Sequence, residues 1–346
     1  MFNSHYALMK EFASRLSVSG REHDFSNDLK AWMKPFADTV STDAMGNLLL
    51  VKKTAVLDAP RLLLTAHMDQ VGFMVTHIEN NGYIRLSPVG SVNPIAYSNI
   101  PVKFSRGSKG ILVAETNCKP EEMKPNKLYA DIGTISLKET EKYVQVGDVC
   151  AIDVPLMKLK GSRIAGAALD NKASCAIIYK IAQLLSAEEA LPFEVGFAFT
   201  VQEEVGCRGS KTIAYSFAPS YALNFDVTPC YDTIGSIPGN VRLGKGAAIK
   251  IRDNTVIVCK TIVDSLEQTA KEESIPIQRE IIASGGSDTG VLQLTRQGVA
   301  AGSLSLPCRH IHTGTETIDS KDFDAIVQLA LAWIMKGKVF EFESLG

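Results

Sequence analysis

The seven cysteines of this 346-residue chain include no pair at Cys-x-x-Cys spacing, and they are scattered without a pattern. This excludes the spacing typical of thiolate zinc sites and gives no basis for a disulfide framework. The first residues, MFNSHYALMKEF, contain no hydrophobic core of a signal peptide. An odd number of cysteines without such a leader predicts reduced thiols and a cytoplasmic location.

Long apolar runs and a strong net charge are also missing. No run reaches the roughly 18 residues of a membrane-spanning helix, and the formal net charge is only −2. The charge therefore gives no reason to expect nucleic acid or an anionic membrane as a partner. The segment Gly239–Gly246 nearly matches a phosphate-binding loop, but it lacks the Ser or Thr that would hold magnesium, which argues against nucleotide binding.

The most informative stretch that is present is PFEVGFAFTVQEEVGCRG at residues 192–209. It carries no charge between Glu194 and Glu203, which is typical of a strand buried on both faces of a parallel sheet. The apolar part leads into two adjacent carboxylates, Glu203 and Glu204. Binding sites and active sites of open α/β sheets lie beyond the carboxyl ends of the strands. Two desolvated charges there need compensation, and a metal ion is the simplest candidate.

Alternating helices and strands predict an α/β fold with a mixed, largely parallel sheet flanked by helices. Between residues 71 and 162 the pattern changes to short strands and turns without a useful helical period, and it includes the hairpin signal Asn81-Gly82. We therefore predict one domain from residues 1–70 and 163–346, and an inserted small β domain at 71–162. Helices are predicted at 6–16, 24–36, 172–186, 254–273 and 322–335, with a further one from Asp288 to about Gln297.

Polar side chains that suit a metal ion stand where predicted strands and helices end or begin. They are His67, Asp69, Asp170, Glu203, Glu204, Asp226 and His312. All but Asp170 follow apolar strands, so one sheet edge could gather them, whereas Asp170 precedes a helix and is a candidate N-cap. Imidazole and carboxylate ligands suit zinc or another borderline divalent ion. Five ligands drawn from this set would exceed one catalytic zinc site. They would suit two ions about 3.5–4 Å apart that share a bridging carboxylate and water, and one member of the Glu203–Glu204 pair would then be spare.

These motifs stand in the order of the glutamyl and tetrahedral aminopeptidases, which the chain resembles over nearly its whole length. The matching segments are His67-Met-Asp69, Ala168-Leu-Asp170-Asn, Val201-Gln-Glu203-Glu204-Val-Gly, Asp226-Val-Thr and Arg309-His-Ile-His312. The resemblance implies a co-catalytic two-metal exopeptidase that removes N-terminal residues from short peptides, with a PDZ-like or barrel-like insert. It also implies a homo-oligomer, a dodecamer with active sites facing an internal chamber, in which the insert helps assembly or access.

The same resemblance gives each candidate residue a role. Five residues are implied as ligands of two metal ions: His67 and Asp226 at one ion, Glu204 and His312 at the other, and Asp170 bridging both. Glu203 is implied as the general base and acid. Asp69 is expected to hydrogen-bond the far ring nitrogen of His67 and so fix its tautomer. Zinc, cobalt and manganese all fit these ligands.

The chain departs from the family pattern at two positions. Asn171 stands where the family often has a second acidic residue, and His310 stands where a tyrosine is common. His310 leaves open which of two histidines is the ligand, and we favour His312. Cys207 and Cys308 lie near these motifs, and both are expected to serve packing. Asp288 is expected to cap its helix.

Other interpretations of the same residues stay open at this point. A carboxypeptidase or deacylase would use the same metals and base, and it would anchor a different end of the substrate. An endoglucanase needs two opposed carboxylates about 5–9.5 Å apart and usually no metal, so adjacent Glu203 and Glu204 suit it poorly. A non-enzymatic chamber or scaffold protein is the remaining alternative, and the complete ligand set argues against it.

Overall fold

The fold contains a large sheet and a small closed barrel, and four nearly uncharged strands form the centre of the large sheet. The computed structural model describes residues 4–337. The helices, numbered in chain order, are α1 (His5–Ala13), α2 (His23–Met33), α3 (Leu137–Thr140), α4 (Leu169–Leu185), α5 (Arg208–Phe217), α6 (Lys260–Glu272), α7 (Asp288–Gln293) and α8 (Ser320–Lys336). The strands are β1 (Thr39–Thr42), β2 (Leu48–Lys52), β3 (Arg61–His67), β4 (Gly72–Ile78), β5 (Ile84–Val89), β6 (Ile100–Phe104), β7 (Lys109–Ala114), β8 (Leu128–Asp131), β9 (Val149–Ile152), β10 (Met157–Lys158), β11 (Arg163–Gly166), β12 (Glu194–Thr200), β13 (Tyr221–Pro229), β14 (Ala247–Arg252), β15 (Ile277–Ile281), β16 (Ala300–Arg309) and β17 (Glu316–Asp319).

The larger structure is an 11-stranded sheet with the main order β1-β2-β12-β3-β13-β16-β17-β11-β10. Strand β14 pairs with β16, and β15 pairs with β14. The four central strands β12, β3, β13 and β16 run parallel, while the outer strands of the main order pair antiparallel. Thr200 lies beside His67 in the register, so β12 and β3 end at the same level. The prediction of a mixed sheet with a parallel centre is confirmed.

Helices cover both faces of this sheet because its central strands are apolar on both sides. On β3, Leu62 and Leu64 belong to the main core beneath α1, α4, α6 and α8, whereas Leu63 belongs to a second core beneath α5 and α7. This alternation follows from the two-residue period of a strand. Within residues 4–337, every helix is too short or too polar to span a bilayer.

The smaller structure is a closed six-stranded barrel with the order β4-β5-β8-β7-β6-β9. It has a hydrophobic core of its own, which includes Phe73 and Phe104. The expected hairpin joins β4 and β5, and Gly82 adopts a positive φ of 91° in its turn. Besides strands, this region contains the four-residue helix α3, capped by the Ser136 hydroxyl, and two 3-10 turns at Pro120–Glu122 and Pro125–Lys127. Residues 157–158 already pair with the large sheet through β11, and the domain limits of 71 and 162 stay a prediction.

One predicted helix begins later than expected and one helix was not predicted, both for local reasons, and α7 ends at Gln293 rather than near Gln297. The helix predicted at 254–273 begins only at Lys260. Asp253 accepts hydrogen bonds from the backbone N–H groups of Thr255 and Val256, which holds the preceding residues in a turn. Helix α5 was not predicted, because its ten residues directly follow the Glu203–Glu204 loop and include a glycine and several polar side chains.

Candidate metal centre and active site

The carboxyl ends of the central parallel strands bring most of the predicted ligands to one edge. His67 is the last residue of β3, and Glu203 and Glu204 lie in the loop after β12. His312 follows β16. Asp226 differs from expectation, because β13 continues to Pro229 and Asp226 therefore lies within the strand rather than at its end. Parallel strands of similar register place these side chains side by side.

The first donor group consists of His67, Asp170 and Asp226. His67 Nε2 lies 3.3 Å from Asp170 Oδ1 and 3.5 Å from Asp226 Oδ1. All three side chains are almost fully buried. Burial disfavours the imidazolium, but the adjacent carboxylates outweigh it and raise the pKa of His67 well above its usual value. A cation placed among these atoms would satisfy the same carboxylates.

The second donor group consists of Asp170, Glu204 and His312. His312 Nε2 lies 3.2 Å from Asp170 Oδ2 and 3.1 Å from Glu204 Oε1. The two oxygens of Asp170 are therefore divided between two histidines. The histidines also hold the pKa of Asp170 below its usual value despite its burial. Burial and the Asp170 charge raise the pKa of Glu204 to about 7.

Unsatisfied carboxylate oxygens show that these residues fit a metal. Asp170 Oδ1 and Glu204 Oε1 are buried and accept no hydrogen bond within the described part of the chain. Their nearest polar partners are the Nε2 atoms of His67 and His312, and an ion held between carboxylate and imidazole would offset the cost of burying these charges. The donors are imidazole nitrogens and carboxylate oxygens, which suit borderline divalent ions. The residues present therefore fit a divalent ion, and the assignment of five of them as its ligands stays a prediction.

Glu203 lies next to these groups without belonging to either. Its Oε2 is 4.0 Å from His67 Nε2, and its side chain is 12% exposed. Burial is the main reason why its pKa is raised well above the usual value of a glutamate, and nearby carboxylates add to the effect. A carboxyl group with a raised pKa at the edge of a metal centre is suited to taking up and releasing a proton.

Hydrogen bonds to backbone N–H groups hold the loop that carries the two glutamates. The Asp69 carboxylate accepts bonds from the N–H groups of Glu203 and Glu204, and Glu22 accepts one from Gln202. The expected contact of Asp69 with His67 is made differently. His67 Nδ1 lies 3.1 Å from the backbone carbonyl oxygen of Asp69, whereas Asp69 Oδ1 is 3.6 Å away. The carboxylate therefore mainly orients the loop, and the carbonyl is the closer partner of the imidazole.

Comparison with known proteins fits this geometry. The model of the M42 glutamyl aminopeptidase family matches residues 46–329 of the chain. The chain belongs to the M42 glutamyl aminopeptidase family. It is accordingly a metal-dependent aminopeptidase, a hydrolase that acts on peptide bonds. The resemblance seen in the sequence motifs is confirmed.

Three relatives show how far the similarity extends. A putative aminopeptidase of Acetivibrio thermocellus is 38% identical over 327 residues, which cover 94% of this chain and 96% of that protein. An aminopeptidase from the archaeon Desulfurococcus kamchatkensis has a TM-score of 0.91 at 31% identity, with 96% of this chain and 94% of that chain covered. The Pyrococcus horikoshii TET1 peptidase, which can assemble into a tetrahedron or a large octahedral shell, has a TM-score of 0.87 at 27% identity, with coverages of 96% and 100%.

Asp170 of this M42 aminopeptidase does not act as a helix cap. Its φ and ψ of −81° and 105° are not helical, so α4 is kinked here and becomes regular only after Asn171. The Asp170 carboxylate faces the two histidines and not the first N–H groups of the helix. The prediction of an N-cap is therefore wrong, because the oxygens of the Asp170 carboxylate lie against the two imidazole rings and not against backbone donors.

The sequence analysis missed Glu316 at the start of β17. Glu316 Oε2 accepts a hydrogen bond from the N–H group of Asp170, and its Oε1 accepts one from the N–H group of His312. Burial and the nearby Asp170 charge raise the pKa of Glu316 to about 8. This carboxyl group therefore positions the backbone of both Asp170 and His312. Its sequence context, Thr-Gly-Thr-Glu, gave no signal of this role.

Lys172 is a second missed residue, and it is fully buried. Its Nζ donates hydrogen bonds to the Met68 carbonyl, at 2.7 Å, and to the Ser17 hydroxyl. The ammonium group also lies 3.7 Å from the centre of the Phe25 ring. These contacts fix the backbone between His67 and Asp69, so Lys172 helps to hold His67 in the first donor group.

Four residues whose roles were uncertain in the sequence have defined surroundings. His310 is exposed and belongs to neither donor group, whereas His312 belongs to the second. Cys308 packs in the main core as expected. Cys207 does more than pack, because its Sγ lies 3.3 Å from Glu203 Oε1. Asp288 does not cap α7, since Ser287 is the N-cap residue and the Asp288 carboxylate accepts a hydrogen bond from the Thr200 hydroxyl.

Proposed function

We propose that this aminopeptidase binds two divalent ions that share Asp170 and that it removes N-terminal residues from short peptides. The division of the Asp170 oxygens between His67 and His312 carries this proposal. A carboxylate placed in this way is suited to bridge two ions about 3.5–4 Å apart. Zinc or cobalt fits the mixed nitrogen and oxygen ligands best, and manganese fits as well.

In the proposed mechanism, Glu203 moves the proton. Bound cations supply Lewis-acid activation of a water molecule and of the scissile carbonyl. Glu203 accepts the proton of the attacking water on a carboxylate oxygen and later donates it to the leaving amine. Asp69 fixes the backbone of Glu203 by hydrogen bonding, and it also positions His67 through its carbonyl oxygen. Both contacts keep the base at a constant distance from the reacting centre.

The charges around the site favour a substrate with a free α-amine. The Glu203 and Asp288 carboxylates lie close together next to the donor groups, and such groups attract an ammonium ion. A carboxypeptidase would instead need a free arginine or a comparable anion site. Arg309, which lies three residues before His312, donates two hydrogen bonds to Asp232 at 2.7 and 2.8 Å and is thereby already paired.

An activity panel tests the proposal. We expect the metal-loaded protein to cleave unblocked aminoacyl chromogenic amides and to leave their N-acetylated counterparts intact. EDTA should abolish the cleavage, and zinc or cobalt should restore it. Failure of the metal-loaded protein to cleave any unblocked amide would favour a deacylase or carboxypeptidase, and EDTA-resistant cleavage of soluble cellulose would favour a glycosidase. Either result would contradict the proposal.

We also propose a tetrahedral dodecamer in the cytoplasm. The P. horikoshii relative can assemble into a tetrahedron, and a tetrahedron built from identical subunits in equivalent positions contains twelve. The cytoplasm is proposed because all seven cysteines are free thiols. Light scattering should give about twelve times the 37.5 kDa subunit mass, and a monomer would contradict the assembly. Recovery of the protein outside the cytoplasmic fraction of its cells would contradict the location.

A further inference from the structure

A third cluster of metal-ligating groups lies beside the two donor groups and shares no residue with them. It consists of Glu203, Cys207 and Asp288, and one ligand atom from each lies within 4.8 Å of the others. The Cys207 thiol donates a hydrogen bond to Glu203 Oε1. The proposed function uses the carboxylates of Glu203 and Asp288 from this cluster, and it leaves the thiol without a role.

Backbone geometry directs the thiol toward Glu203. Cys207 adopts a left-handed conformation with a φ of 50° at the N-cap position of α5. Its N–H group donates a hydrogen bond to the Glu203 carbonyl. The five residues from Glu203 to Cys207 therefore fold back on themselves, and the thiol is placed next to the carboxylate at the start of the same turn.

Asp288 supplies an independent sign of a missing partner. The residue is only 1% exposed. One of its oxygens, Oδ2, accepts a hydrogen bond from the Thr200 hydroxyl at 2.6 Å. The other, Oδ1, is buried and accepts no hydrogen bond within residues 4–337. A buried carboxylate oxygen without a donor is suited to a cation.

We propose that Glu203, Cys207 and Asp288 form an inhibitory site for a soft divalent cation such as cadmium or excess zinc. One thiolate and two carboxylates form a mixed soft and hard donor set, which favours these ions over magnesium, calcium and manganese. On binding, the thiol proton leaves to the solvent and a metal–sulfur bond forms. The ion also engages the Glu203 carboxylate and withdraws it from proton transfer. The inhibitory effect rests on the proposed role of Glu203 as the base.

The test adds cadmium chloride to protein whose two proposed catalytic sites have been filled with zinc. We expect an ultraviolet absorption band from thiolate-to-cadmium charge transfer and a parallel loss of aminopeptidase activity. Each variant's rate is expressed relative to its own rate without cadmium. Cys207→Ser should lose the band and should need at least roughly 10-fold more cadmium for the same inhibition. Asp288→Asn should weaken both effects while keeping the thiol.

Cys118→Ser is the matched control, because it removes another partly exposed thiol that lies in the barrel region. It should retain both the band and the inhibition. A band that is absent from the unmodified protein, or unchanged in Cys207→Ser, would overturn the site. A Cys207-dependent band without inhibition would overturn the inhibitory effect and count against Glu203 as the base. The absorption readout needs no turnover, so a protein inactive on every substrate would still test the site.

Discussion

Glu203→Gln should lower kcat by about 10²–10⁴-fold, the usual contribution of a general base, while metal content stays unchanged. Glutamine keeps the size of the side chain but cannot accept the proton of the attacking water. Glu203 stands outside both donor groups, with its Oε2 4.0 Å from His67 Nε2. Its removal therefore should not empty the metal centre. Steady-state kinetics and elemental analysis of the same preparation check the two parts of this expectation.

The neighbouring glutamate provides the matched control. Glu204 Oε1 lies 3.1 Å from His312 Nε2 and belongs to the second donor group. Glu204→Gln should therefore lose metal as well as activity, whereas Glu203→Gln loses activity alone. Near-normal turnover of Glu203→Gln at full metal content would remove Glu203 from the proposed role. Equal loss of metal in both variants would show that Glu203 is a ligand.

Asp170→Asn should weaken binding of both ions and reduce activity below detection. The amide offers one neutral oxygen in place of two charged ones, so it cannot bind the ion beside His67 and the ion beside His312 at the same time. We expect the affinity for each ion to fall by at least about 100-fold, beyond the roughly 10–100-fold typical of removing a hydrogen-bond partner of a ligand. Titration calorimetry with metal-free protein checks this value.

Asp226→Asn is the control for a ligand of one ion only. Asp226 contacts His67 Nε2 at 3.5 Å and belongs to the first donor group alone. This variant should therefore weaken one binding event and leave the other nearly intact. If Asp170→Asn still bound two ions with unchanged affinity, Asp170 would not be the bridging residue. If both variants lost the same single ion, the two sites would not share Asp170.

The positions of the strands and most of the proposed ligands could be predicted from the sequence, because buried parallel strands have a strong signature. The run from Val195 to Thr200 contains no charge, and such a run fits the centre of a sheet with helices on both faces. Polar residues directly after such runs, such as His67 and Glu203, are then expected at the same edge. The roles proposed for these residues came from the family resemblance, because neither the two-residue period of the strands nor the composition indicates them.

Other features depend on contacts between distant parts of the chain, and local pattern does not encode them. Glu316 holds Asp170 across 146 positions, and Asp288 accepts its hydrogen bond from Thr200 across 88. The capping role predicted for Asp170 followed from its place before a helix. In the folded chain, the oxygens of its carboxylate lie instead against the imidazole rings of His67 and His312, which come from distant parts of the sequence. Cys207 likewise meets Glu203 only because a positive φ turns the loop back.

Anomalous diffraction from crystals of the zinc-loaded protein, recorded at the zinc absorption edge, tests the central claim most directly. The account predicts two peaks about 3.5–4 Å apart on either side of the Asp170 carboxylate. One peak should lie within bonding distance of His67 and Asp226, and the other within bonding distance of Glu204 and His312. A single peak, or two peaks that do not share Asp170, would contradict the two-ion site.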